Sequence, residues 1–168
     1  MKSLLHMLQL CLFVIILLVI QFCVSYIFPF PLSAVHVPTS IVVVYLMVKE
    51  QRRIVWYMFS FLFLLEILVP SNFYGSMLIP GVLSTFLVYW FHRFFFTNQS
   101  LYTGMILGAS MLVCYRFFAL VYDLFFSIGI KNTDPQYPAF SFSLFGIEVL
   151  ATELVILLLL FVLLKRKA

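Results

Sequence analysis

Charge is what this 168-residue sequence has least of: Asp and Glu together number six, and charged residues make up 10% of the chain against 65% hydrophobic and 19% aromatic. Ordinary globular sequence is about one quarter charged, and a soluble domain of this length could not enclose so much apolar surface. Cysteine is scarce too. Cys11, Cys23 and Cys114 are odd in number and lie within apolar runs, which excludes a disulfide framework and a paired metal motif and leaves them as small buried apolar residues. Catalytic signatures are missing: there is no Gly-x-Gly-Asp, no Gly-x-Ser-Gly with a membrane histidine, no His-Glu-x-x-His and no nucleotide-binding loop, so no enzyme is expected and transport would need an energising partner. His6, His36 and His92 stand near the ends of apolar runs without metal-ligand spacing and read as interfacial; no metal and no cofactor are expected.

What is there is apolar length. Mean hydropathy is +1.17, and the chain divides into six apolar blocks of the roughly 20 residues a helix needs to cross a bilayer. They run over roughly residues 4–28, 32–48, 54–69, 77–91, 101–122 and 143–164. The breaks between them are "PFP", "KEQRR", "PSNFYGS", "HRFFFTNQS" and a longer loop near residues 129–142. Proline or clustered polar residues stop a helix at each break, while "DLFFSIG" leaves the end of the fifth block open. The N-terminal block starts like a signal peptide, but it is too long and has no small-residue cleavage site, so it counts as the first span. The expectation is a single all-α membrane domain, residues 1–168, with six transmembrane helices.

With six spans, alternate breaks face opposite sides. Lys2, Lys49, Arg52, Arg53, Arg93, Lys165, Arg166 and Lys167 then share one side, and Lys131 alone stands on the other. The basic side is cytoplasmic by the positive-inside rule, so both termini and the "KEQRR" loop are expected there. The net charge of +4 therefore reflects topology and contact with anionic membrane lipid; no nucleic-acid partner is expected, since the sequence has no solvated basic patch.

Ionisable residues inside apolar spans cost about 2.5 to 3.5 kcal/mol each, which marks Glu66, Arg116, Asp123, Glu148 and Glu153. Counting along the helices, Arg116 falls near mid-bilayer with Glu153 nearest to it in depth, and Asp123 shares the Arg116 face. Two arrangements fit these positions. In one, an ionic cluster between spans three, five and six lines a cavity or partner groove. In the other, an Arg116–Glu153 pair locks helix register while the remaining carboxylates sit in the headgroup zone. Gly104 and Gly108, in "GMILG", form a small-xxx-small pattern that lets a helix of the same chain, or of a partner or second copy, approach closely. Glu66 stands before the turn "PSNFYG", either orienting that turn or offering a polar element to a partner. Tyr89, Trp90 and His92 read as an aromatic belt at the cytoplasmic end of span four.

The stretch from residue 35 to 108 resembles the rod shape-determining protein MreD family of bacteria. Its features are a proline opening a span (Pro38), the basic loop from Lys49 to Arg53, "LLE" ending at Glu66, a turn with Ser71 and Gly75, and a basic break at Arg93. The family usually carries Asp where this chain has Glu66, and often an acidic residue where it has Thr39. The resemblance implies a non-enzymatic, multi-pass subunit of the rod or elongation complex in the bacterial cytoplasmic (inner) membrane. Such a subunit binds MreC, a single-span protein, along with other rod-complex components, and links the cytoskeleton to peptidoglycan synthesis and cell shape; a homodimer within the complex is compatible with it. On this reading Glu66, Ser71, Asn72, Gly75, Arg116, Asp123, Glu148 and Glu153 are the candidates for the partner groove or for structural ion pairs. The family is also similar in fold to the substrate-binding subunits of energy-coupling-factor vitamin transporters, which gives the alternative function. The outward loops offer Ser71, Asn72, Tyr74, Lys131, Asn132, Asp134 and Gln136, a thin set of polar groups for a vitamin.

Overall fold

A computed structural model describes residues 2–30, 34–49, 51–69, 75–96, 100–129 and 142–165. Among them are six helices and no strand: α1 (Lys2–Ile27), α2 (Val37–Lys49), α3 (Arg53–Leu68), α4 (Leu78–Phe94), α5 (Leu101–Gly129) and α6 (Phe142–Lys165). Each expected block holds one helix. Two differences matter. No proline interrupts "DLFFSIG", so α5 runs on to Gly129 rather than ending near residue 122. The second helix starts at Val37 instead of residue 32, with Pro38 in its first turn, where the missing N–H is not needed by the helix.

α2 is the central helix and touches all five others, while α1, α3, α4, α5 and α6 follow one another around it. The ring is open between α1 and α6, which share no contact among the described residues. Val42, Val43 and Leu46 of α2 are fully buried against Val14, Ile54, Phe61, Val88, Leu107, Ile156 and Leu160.

Starting a helix inside a bundle leaves its first amides without water, so each needs a partner. Every one at the start of α2 has one. The His36 amide donates to Thr152 Oγ1 of α6 at 3.0 Å, Val37 to the Val35 carbonyl at 3.1 Å, Thr39 to His36 Nδ1 at 3.3 Å and Ser40 to the His36 carbonyl at 3.3 Å. Pro38 has no N–H to satisfy. His36 thus caps the helix with its ring nitrogen, in the place a Ser or Asp side chain usually takes.

The α5–α6 pair is antiparallel, with a register that three contacts fix. A methyl group on Gly104 would meet Leu160, one on Gly108 would meet Ile156, and Arg116 pairs with Glu148. Each step of four or eight residues up α5 is matched by the same step down α6. Gly104 and Gly108 thereby serve packing within the chain, since an added Cβ would lie 2.3 Å from Leu160 and 2.6 Å from Ile156.

The outer surface is far more apolar than that of a water-soluble bundle, while several hydroxyls lie inside among the apolar core. Thr39, Ser84, Thr85 and Thr152 are wholly buried, whereas Leu150 and Phe125 are each 72% exposed and Trp56 is 69% exposed. By length and composition, Leu101–Phe126 and Ser143–Leu163 are able to cross a bilayer, and Cys11–Ile27 and Val37–Lys49 are apolar but shorter. Cys11 and Cys23 stand on the exposed surface of α1, not in the core as small apolar residues were expected to, and Cys114 is half-buried.

Candidate functional site

Arg116 pairs with Glu148, not with Glu153. The guanidinium Nη2 donates to Glu148 Oε2 across the α5–α6 interface. The pair is lopsided: the Glu148 side chain is 10% exposed and that of Arg116 44%. The register explains the choice of partner. The antiparallel register that sets Gly108 against Ile156 sets Arg116, about 12 Å further along α5, against Glu148, about 12 Å back along α6.

Beside this pair lies the start of α2. The His36 ring packs against Tyr115 of α5 with centroids 5.2 Å apart, and Thr39 Oγ1 meets His36 Nδ1 at 2.7 Å. Thr152, which receives the His36 amide, is one turn below Glu148 on α6. Two basic side chains, a phenol and two threonines therefore gather where α2, α5 and α6 meet. Sequence reasoning placed His36 at an interface, named Thr39 only as a departure from the family pattern, and passed over Thr152. The signal available was "HVPT": a ring acceptor followed by proline and threonine at a helix start.

Glu153, five residues further along α6, is buried to a similar degree as Glu148. It is 8% exposed and packs against the α5 backbone at Gly108, where a Cβ would lie 2.6 Å from its Oε1. Its oxygens approach the Ala109 amide without completing a hydrogen bond. Any residue larger than glycine at 108 would push this carboxyl group out of its seat.

Glu66 has a local task. Its Oε1 accepts the Gly75 amide and so closes the turn between α3 and α4. Gly75 has φ +90°, in the left-handed region, and a Cβ there would lie 3.1 Å from the Tyr122 hydroxyl of α5. The carboxylate thus holds Gly75, which in turn lies against Tyr122 of α5. Ser71 and Asn72, expected to share this element, lie outside the described residues, as do Lys131, Asn132, Asp134 and Gln136 of the long loop. Asp123 is half-buried two turns beyond Arg116 on α5, and no ion pair reaches it among the described residues.

At the opposite, basic end, Tyr89 and His92 are buried and Trp90 is 43% exposed, so only the tryptophan takes the outward place expected of an aromatic belt. No group of three metal-ligating side chains forms among the described residues. A crevice between α1, α2 and α3, lined by Phe13, Leu17, Pro38, Val42, Met58 and Phe61, has a volume of about 10 Å³, room for about one water. No family model, curated protein or solved structure matches the chain.

Proposed function

We propose that this chain is a multi-pass protein of the bacterial cytoplasmic membrane, with all six helices crossing the bilayer and both termini in the cytoplasm. In this role it is a non-enzymatic scaffold subunit of the rod or elongation complex that binds an MreC-like single-span partner. Support for membrane residence comes from the apolar outer surface: large apolar side chains outside, with hydroxyls packed between helices inside, are favourable when the surrounding medium is hydrocarbon. α2 is about 20 Å long, short of a full crossing, and its buried, fully bonded start is how a non-helical approach to a helix is tolerated at membrane depth.

The observation that carries the partner reading is Arg116. Nearly half of its side chain lies outside the bundle, on a flank where Val113, Phe117 and Leu120 of the same helix are each at least 50% exposed. An arginine on a lipid-facing flank is costly, and the expense falls when a neighbouring protein helix covers it and supplies polar contacts. Glu148 neutralises the charge from one side and leaves the other side of the guanidinium open to such a helix.

The test is co-purification in mild detergent with the membrane-anchored partner encoded in the same cells. Replacing Arg116 and Glu148 together with Leu removes both charges and leaves no unpaired ion. The partner should then be lost while membrane abundance stays near normal. Undiminished capture by the double variant would sink the assignment of this flank. Fusing a reporter active only outside the membrane to the turn near Gly75, and a cytoplasmic fluorescent one to the C-terminus, checks the topology.

A further inference from the structure

We propose that the basic ends of α3 and α4 form a binding site for the phosphodiester headgroup of an anionic lipid. The site lies between Arg52 and Arg93 over the Tyr89 hydroxyl. It rests on the membrane reading above and is separate from the Arg116 flank.

Arg52 is the residue just before α3, and Arg93 lies in the last turn of α4; both are exposed. α3 and α4 pack side by side, which brings these two cations to the same end of the bundle. Arg93 Nη1 donates to Tyr89 Oη at 3.2 Å, and the Arg52 charge is close enough to act on that hydroxyl as well. Two like charges near one neutral oxygen repel each other. A carboxylate between them would relieve the repulsion, yet none bridges them among the described residues, where the ion pair formed is the distant Arg116–Glu148 one. An anion with several acceptor oxygens fits this gap: a phosphodiester can accept from both planar donor groups at once and from the phenol O–H beneath.

The surroundings indicate that this phosphate is the head of a lipid. Trp90 is exposed one residue after Tyr89, and its ring packs against Phe94 at 5.0 Å and Phe95 at 5.8 Å between centroids. Trp56, 69% exposed, stands one turn into α3 from Arg52. A basic pocket between helix ends, flanked by outward tryptophans, provides for both parts of an anionic lipid: charge for the head and aromatic faces at the level where acyl chains begin.

Lipid binding to the full purified chain in detergent, followed by intact-complex mass spectrometry, tests this with phosphatidylglycerol and phosphatidylcholine as probes. Arg52→Gln with Arg93→Gln should weaken phosphatidylglycerol binding roughly 30-fold, the product of two surface cations, and leave phosphatidylcholine unchanged. Lys49→Gln with Lys165→Gln removes the same charge elsewhere on that end and should weaken binding less than about threefold. Equal losses in the two double variants would overturn the site in favour of a diffuse basic surface. Tyr89→Phe, which preserves the fold's packing, should weaken binding severalfold and provides the readout if the arginine variant does not fold; no change there would also count against the site. Displacement of the lipid by inorganic phosphate would assign the pocket to free phosphate, and resistance to displacement assigns it to the lipid. If the membrane reading itself failed, the chain would leave the membrane fraction, a result distinguishable from loss of lipid by a protein that stays there.

Discussion

The two halves of the Arg116–Glu148 pair should not be equally dispensable. Arg116→Gln leaves Glu148 in a site where its side chain is 10% exposed, and an uncompensated carboxylate there costs about 3 kcal/mol, the lower part of the range for a broken buried pair. Glu148→Gln leaves a guanidinium that is already 44% exposed. Its side chain can turn further out of the bundle without leaving an ion in the core, so the loss is about 1 kcal/mol. With both replaced, no ion remains unpaired, and the cost should return to about 1 kcal/mol, a coupling of roughly 3 kcal/mol. Reversible unfolding in mixed micelles, monitored by tryptophan fluorescence, reads all four corners of this cycle. Additivity within about 0.5 kcal/mol would refute the pairing, and a milder effect of Arg116→Gln than of Glu148→Gln would refute the burial argument. The corresponding cycle between Arg116 and Glu153 should be additive, because Glu153 seats against Gly108, two turns of α5 away.

Three further changes follow from the same geometry, each measurable by melting of the purified protein. Thr152→Val keeps the volume but deprives the buried His36 amide of its acceptor and should cost about 1 to 3 kcal/mol. Gly75→Ala forces a side chain into the left-handed region at φ +90° against Tyr122 and should cost about 1 to 2 kcal/mol. Glu153→Gln, by contrast, removes an ionisable group whose oxygens have no hydrogen-bond partner, so stability should hold or rise; a clear loss would mean that the carboxylate has a partner in the membrane.

The helices were legible because their punctuation is chemical. Proline pairs, the basic "KEQRR" run and polar turns interrupt apolar runs at the places where α1 to α4 end, and no competing hydrophobic periodicity obscures them. The late start of α2 was not legible in the same way. No polar run or glycine marks residues 34–36, and only the "HVPT" at 36–39 hints at the boundary; what fixes it is a tertiary bond, the acceptor Thr152, 116 positions from His36 in sequence. The far end of α5 was open for the opposite reason. Its last seven residues, from Asp123 to Gly129, are all helical, and the sequence puts no proline or charged run before Gly129 to mark an end.

The polar residues were found, yet their partners were misassigned, and the error has a simple source. Depth along α5 runs upward from Leu101 and depth along α6 runs downward from Phe142, so two residues meet when their rises add up to the constant that the helix register sets, not when the rises are equal. Arg116 at about 22 Å therefore meets Glu148 at about 9 Å, while Glu153, about 16 Å down, comes level with Gly108, about 10 Å up, to within a turn. That places a glycine opposite the buried acid, and the small-xxx-small pattern and the acidic residue become one feature: the close approach that Gly104 and Gly108 allow is what brings α6 near enough for Glu153 to be buried and for Glu148 to reach Arg116. Widening that contact with Gly108→Leu should accordingly separate the helices and weaken the Arg116–Glu148 coupling at a distance of two turns, in the same fluorescence-monitored cycle. Full coupling retained in that background would mean that the ion pair, and not the glycine contact, sets the register.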